Sequence, residues 1–244
     1  MSSRRVDVYP TPEALAEAAE REVLGVIAGS LRERGICSIA LAGGETPRML
    51  YRRLAATADA GEPDWSRVHL CFGDERMVIP DDPASNYGMV RDVLIARIPL
   101  PAGNVHRIRG ERPPDVAARE YAADIAALLS RTGGAFDLVL LGLGADGHTA
   151  SLFPGTDVLT ERVRTVRAVV TPVGPRVTIT LPVINGAREV LFLVSGGMKS
   201  GIVRRILEPA PGDPVFPASM VNPAASPPRW MLDAAAAASL HPET

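Results

Sequence analysis

Short apolar runs at residues 36–42, 68–72, 136–141 and 190–194 are separated by stretches whose apolar residues recur at helical spacing. Unbroken runs of this length suit strands buried on both faces, as strands inside a parallel sheet are. Parallel neighbours need a crossover of a dozen residues or more, and the intervening stretches have the length and period of helices. The pattern predicts an α/β fold, a doubly wound, mostly parallel sheet flanked by helices. The chain has 244 residues, no internal repeat and no linker rich in Gly or Ser. It therefore reads as a single α/β domain over 1–244, with room for an inserted helical portion near 85–130.

Local signals mark the helices. Thr11-Pro12-Glu13 supplies an N-cap, a proline at the first helical position and an acid in the first turn, and Leu15, Ala18, Ala19, Val23, Val26 and Ile27 follow, with Gly35 as the stop. Thr46-Pro47 opens a helix through Leu54, and Ser85 caps one that carries Met89, Val90, Val93, Leu94 and Ile98. Asp115 starts another, with Tyr121, Ile125, Leu128 and Leu129 on its apolar side; 198–207 reads as helix, and Asp233 caps an alanine-rich one. Residues 163–170 and 176–181 read as strands from their β-branched content, and 230–232 as a last strand. Residues 73–84, 142–155 and 209–228 read as loops, the last with a short turn.

Charge and cysteine usage narrow the partners. The net charge of −2 gives no electrostatic basis for binding nucleic acid or membrane. Arg4 and Arg5 have no apolar run behind them, and Glu13, Glu17, Glu20, Arg21 and Glu22 break up 14–31, so neither a signal peptide nor a membrane span is expected. Cys37 and Cys71 are too few for a disulfide scaffold or a zinc site and read as buried free thiols of a cytoplasmic protein. No His/Asp/Glu cluster has ligand spacing, so no metal site is expected. The expected partner is a small molecule alone, with the chain a monomer or weak homo-oligomer.

Ligands of open parallel sheets bind at the carboxyl ends of strands, and four unusual segments fall there: 43–47, 73–76, 144–155 and 195–199. Gly43-Gly44 before a helix start is either an anion site, with Thr46 adding a hydroxyl, or a tight strand-to-helix turn. Asp74-Glu75-Arg76 is either a solvated charge cluster or a place where Arg76 meets a phosphate; Asp81, Asp82, Ser85 and Asn86 keep that strand end polar. His148 is the one histidine of four in a Gly-rich strand-end loop beside an acid. It suits a general base, with Asp146 orienting it or touching substrate hydroxyls; the other reading is a histidine that caps a turn. His69 lies within a strand and reads as structural. Ser151 lacks the G-x-S-x-G elbow of a serine hydrolase. Lys199, at a helix start, is either a surface helix lysine or an anion contact; it is the single lysine among 26 basic residues, in a chain that otherwise uses arginine, which favours the anion contact. Arg176 either serves the same end or only begins a strand.

Taken in order, these segments resemble the 6-phosphogluconolactonase family over nearly the whole chain. The pieces are 41–47 (LAGGETP), 73–76 (GDER) with 85–88 (SNYG), 141–155 (LGLGADGHTASLFPG), 176–178 (RVT), and Gly197-Met198-Lys199. The resemblance implies a Rossmann-like fold shared with glucosamine-6-phosphate deaminases and ribose-5-phosphate isomerases, no cofactor, and hydrolysis of 6-phospho-D-glucono-1,5-lactone. It implies His148 as the base that activates water, with Arg76 and Lys199 on the phosphate. The expected site is thus His148 and Asp146 for catalysis, with Gly43, Gly44, Thr46, Asp74, Arg76, Asn86, Arg176 and Lys199 around the substrate. One position departs from the family: Glu45 stands where a small or basic residue is usual, and its carboxylate must turn from a bound phosphate.

Two rivals share that fold. Amino-sugar-phosphate deaminases resemble the chain through the Asp-Gly-His loop, but follow it with an Asn-Glu-Pro segment where Leu152-Phe153-Pro154 stands, without the carboxylate. A non-catalytic sugar-phosphate sensor is expected to carry a helix-turn-helix, and about ten residues before the first helix are too few for one.

Overall fold

The computed structural model describes residues 5–57 and 63–241; Arg4 lies outside them. In chain order the elements are β1 Arg5–Tyr9, α1 Pro12–Arg34, β2 Cys37–Leu41, α2 Glu45–Ala56, β3 Val68–Phe72, β4 Asp74–Arg76, α3 Asn86–Val93, β5 Val105–His106, α4 Pro114–Arg131, β6 Leu138–Leu141, β7 Val166–Thr171, β8 Gly174–Ile179, α5 Leu181–Asn185, β9 Glu189–Val194, α6 Ser200–Leu207, β10 Arg229–Asp233 and α7 Ala234–Ala237. The helix signals act through the expected atoms. The Ala14 amide donates to Thr11 Oγ1 at 3.2 Å, and Gly35, at φ 73°, closes α1 through a bond from its amide to Leu31 O.

Seven strands pair in parallel in the order β1-β10-β9-β6-β2-β3-β5, flanked by helices. From β2 the chain builds outward through β3 and β5, then returns to the other side of β2 with β6, β9 and β10. The switch point therefore lies between β2 and β6, where a ligand crevice is expected. Their ladder is short, only Ile39 against Leu138 and Ala40 against Val139. The two strands are pinned at their amino ends, where the Ser38 amide and hydroxyl donate to the buried Asp137 Oδ2 at 2.8 and 3.0 Å. Where the ladder runs out at the other end, a buried phenol takes over. Tyr51 accepts from Ala42 N at 3.0 Å and donates to Ala42 O at 2.8 Å. Tyr121 does the same for Phe72, both at 2.7 Å. These bonds satisfy backbone groups that have no strand partner, as a buried backbone requires.

Three expectations need correction. Residues 73–84 begin with a strand, β4, rather than a loop; and β7 and β8 leave the parallel sheet to form an antiparallel one, ordered β4-β8-β7. Asp and Glu are poor strand formers, so β4 has no sequence signal; it exists because Gly73 hands the chain from one sheet to the other. The Gly73 amide donates to Leu41 O at 2.8 Å, and its carbonyl accepts from Ile179 N at 2.9 Å. The third correction is β1, a half-exposed edge strand along β10 in a segment where no strand was expected. Among the described residues no helix is long and apolar enough to cross a membrane.

Candidate active site

The four strand ends and the β7–β8 turn enclose a cleft of about 590 Å³ at the switch point, within the size range of small-ligand sites. Gly43, Gly44, Thr46, Asp74, Arg76, Asn86, Asp146, His148, Arg176 and Lys199 all line it.

At the end of β2 the glycines are required by geometry. Gly44 has φ 100°, in the left-handed region. A Cβ on Gly43 would lie 1.9 Å from Asn86 Oδ1, so the α3 N-terminus packs directly on this turn. Free amides at the start of α2 then face the cleft with the positive end of the helix dipole. Thr46 is buried, its Oγ1 2.6 Å from Ser195 Oγ, which ties β2's turn to β9's end. Glu45 lines the cleft at the start of α2, and its oxygens lie 3.4 Å from Arg48 and 4.0 Å from Arg52, so two arginines offset its charge there.

The end of β3 and β4 is built around two buried carboxylates. Glu75 accepts from the amides of Arg76, Asn86 and Tyr87 at 2.7–2.8 Å and from Ser85 Oγ at 3.1 Å, and so caps α3. Burial raises its pKa against those bonds. Asp74 accepts from Asn86 Nδ2 at 3.2 Å and from Ser151 Oγ at 2.5 Å. Ser151 is thus buried and spent on Asp74, with no bond to His148. Arg76 stands opposite Arg176 across the β4–β8 ladder, a like-charge pairing that is unfavourable without an anion. Burial, then Arg76, lowers the Arg176 pKa. Arg76 donates to Ala84 O and Arg176 to Pro175 O. Among the described residues neither guanidinium forms an ion pair, and Lys199 forms none across the cleft. Burial lowers the Lys199 pKa, partly offset by Asp233.

His148 sits on the loop after β6. Its Nδ1 is 2.5 Å from Asp146 Oδ1, and its amide donates to the same oxygen at 3.1 Å. Burial pushes the Asp146 carboxyl up, but the amide and ring of His148 outweigh it and hold it below the usual carboxylate range. Gly144 is obligatory, because a Cβ there would lie 2.1 Å from Nδ1. Among the described residues Nε2 has no hydrogen-bond partner. With Nδ1–H directed at Asp146, the neutral tautomer leaves Nε2 as an acceptor facing the cleft. Ala150 takes φ 48°, turning the loop back at the site.

Sequence reasoning missed Pro172, Val173 and Phe153 as lining residues. The first two come from the turn of the antiparallel sheet, whose place was not legible; Thr-Pro-Val-Gly-Pro before Arg176 was the available signal. A larger cavity of about 840 Å³ lies at the amino ends of β1, β9 and β10. Its Arg229 is paired with Asp7 and Glu22 and its Arg188 with Asp137, so both of these arginines are held by carboxylates.

A family model described as glucosamine-6-phosphate isomerases/6-phosphogluconolactonase matches residues 10–230. The 6-phosphogluconolactonase of Nostoc sp. is 36% identical over 241 residues, 97% of this chain and 98% of that one. The solved 6-phosphogluconolactonase from Trypanosoma cruzi superposes with a TM-score of 0.87 at 30% identity, covering 98% of each chain. A monomeric glucosamine-6-phosphate deaminase superposes at 0.81 with 24% identity, covering 96% of this chain and 99% of that one, and shows the shared fold.

Proposed function

We infer, since the chain belongs to the glucosamine-6-phosphate isomerase/6-phosphogluconolactonase family, that it is an enzyme hydrolysing 6-phospho-D-glucono-1,5-lactone to 6-phospho-D-gluconate, a step of the oxidative pentose phosphate route. His148 is its general base. The observation that carries this reading is an Nε2 without a partner among the described residues, on a histidine whose other nitrogen is held by Asp146, in a cleft lined by Arg76, Arg176 and Lys199, which form no ion pair among those residues.

The phosphate carries close to two negative charges. Arg76 and Arg176, side by side, offer it planar forks, and an anion between them relieves their repulsion. Lys199 reaches in from the opposite side of the cleft, and the α2 amides after Gly43-Gly44 add donors. Anchoring at this remote group positions the lactone carbonyl. Water attacks C1 while Nε2 takes its proton; the tetrahedral intermediate collapses, and the imidazolium returns the proton to the departing ring oxygen. Asp146 holds the ring and stabilises the imidazolium meanwhile. The buried, free Cys37, whose thiol burial and then Asp137 push up to about 12, and the equally buried Cys71 fit a cytoplasmic protein.

The test compares hydrolysis of the 6-phosphorylated lactone with that of the unphosphorylated one. Arg176→Ala raises KM for the first by roughly tenfold or more, the scale of a hydrogen bond to a charged group, and leaves the second unchanged. Equal losses on both substrates would remove Arg176 from the phosphate.

A further inference from the structure

The hydrogen bond to Asp146 holds one edge of the imidazole at Nδ1, but a single bond at 2.5 Å tolerates changes in the side-chain torsions that would swing Nε2. A second contact must set the plane of the ring, and the structure contains one. His148 stacks on Phe153, the ring centroids 3.9 Å apart and the planes 16° apart. The opposite constraint comes from Gly144, whose missing Cβ leaves the space that the Nδ1–Cε1 edge of the ring fills.

We propose that Phe153 is a positioning residue for the lactone hydrolysis, its flat face holding the His148 imidazole in the plane that aims Nε2 at the attacking water. The proposal rests on the reading of His148 as the base. Phe153 is equipped for this role, being 6% exposed while still lining the cleft. Its backbone is pinned: the carbonyl accepts from Thr156 Oγ1 at 2.7 Å. The loop between the two rings is forced back on itself by the Thr149–Leu152 bridge and by the positive φ of Ala150. Backbone strain of that kind persists where the surroundings fix it, and it is often found at working sites. The geometry spends it on bringing residue 153 under residue 148. An aliphatic side chain of similar volume fills the space but offers no plane, so the ring regains its rotation.

The experiment is steady-state kinetics on Phe153→Leu, Phe153→Tyr, Asp146→Asn and the double variant Phe153→Leu/Asp146→Asn. Misplacing a catalytic group by about an ångström costs up to about 10²-fold, so Phe153→Leu is expected to lower kcat about tenfold or more, with KM changed by less than about twofold. Phe153→Tyr, which keeps the aromatic face, recovers most of the loss. The double variant loses less than the product of the single losses, since both changes free one ring. In the unmutated enzyme the His148 ring protons show an upfield ring-current shift, lost in Phe153→Leu; this readout needs no turnover. A Phe153→Leu enzyme with normal kcat, or one altered only in KM or thermal stability, overturns the proposal, as does an unshifted His148 resonance. If His148→Ala also keeps full turnover, the base assignment has failed; if His148→Ala is inactive while Phe153→Leu is not, the role of Phe153 alone has failed.

Discussion

Two histidine–aspartate pairs lie among the described residues, and they differ at the ring nitrogen turned away from the carboxylate. His148 Nδ1 lies 2.5 Å from Asp146, and His106 Nδ1 lies 2.9 Å from Asp124. The difference is at the other ring nitrogen. His106 Nε2 is bonded to His69 Nδ1 at 3.0 Å, in a closed chain between β3, β5 and α4. His148 Nε2 has no partner among the described residues and faces the cleft. A carboxylate beside an imidazole is therefore not a sign of catalysis; an unspent nitrogen at the sheet's switch point is. The same contrast holds for the arginines, since Arg229 is paired with Asp7 and Glu22 while Arg76 and Arg176 pair with no carboxylate among the described residues.

Removing each imidazole gives the largest separation. His148→Ala lowers kcat by about 10²- to 10⁴-fold, the range of general-base contributions, with the melting temperature little changed because the residue sits on a loop at the cleft. His106→Ala leaves a buried His69 nitrogen unpaired, which costs about 1–3 kcal/mol, and leaves kcat per folded molecule intact. Activity against the lactone and a thermal melt of both variants decide it. A fully active His148→Ala, or a stable His106→Ala with impaired turnover, breaks the comparison.

The carboxylates sharpen it at smaller scale. Asp146→Asn allows the wrong tautomer and forfeits support for the imidazolium, and kcat falls roughly 10²-fold. Asp124, its side chain 46% exposed, stands at the exposed end of the His69–His106 chain, so Asp124→Asn leaves kcat unchanged and, with solvent screening the pair, lowers stability by less than about 1 kcal/mol. Equal kinetic losses in the two variants would mean that the two pairs are energetically joined through β3.

The cleft was more legible than the chemistry of its walls. Parallel strands announce themselves by unbroken apolar runs, so β2, β3, β6 and β9 stand where 36–42, 68–72, 136–141 and 190–194 place them, and their loops meet because parallel strand ends must. The antiparallel sheet was hidden because β4 is Asp-Glu-Arg, a strand made by its neighbours' hydrogen bonds rather than by propensity. That also hid the facing of Arg76 and Arg176, which depends on a register between residues a hundred positions apart. The stack of Phe153 on His148 was illegible for a local reason: five residues apart they meet only if Ala150 adopts a backbone conformation that sequence gives no cause to expect. Glu45 departs from the family pattern, yet Arg48 and Arg52, one turn or two along α2, explain how it is tolerated.

The finest test separates the two histidine clusters by pH. Burial, followed by His106 and Arg131 and opposed by Asp124, pushes the His69 pKa from 6.5 down to about 4; Cys71 and Tyr121, both buried, are the other titratable groups near Asp124. Above pH 6.5 His69 is neutral in both folded and unfolded chains, and its contribution to stability is complete. Between 6.5 and 4 the unfolded chain binds a proton that the folded one refuses, so stability falls as pH falls, by about 1.4 kcal/mol per unit and about 2 kcal/mol in all by pH 5. Below 4 both states are protonated and the loss levels off. The Asp146 carboxyl has its pKa lowered instead, so its contribution is present above about 4 and is lost only as pH falls further. Denaturant unfolding at intervals from pH 7 to 4 should therefore show a slope that His69→Gln removes, while the pH profile of kcat, set in the cleft, stays where it was. A slope that survives His69→Gln would place the proton uptake elsewhere, and a kcat profile that moves with it would show that the buried chain and the cleft titrate as one.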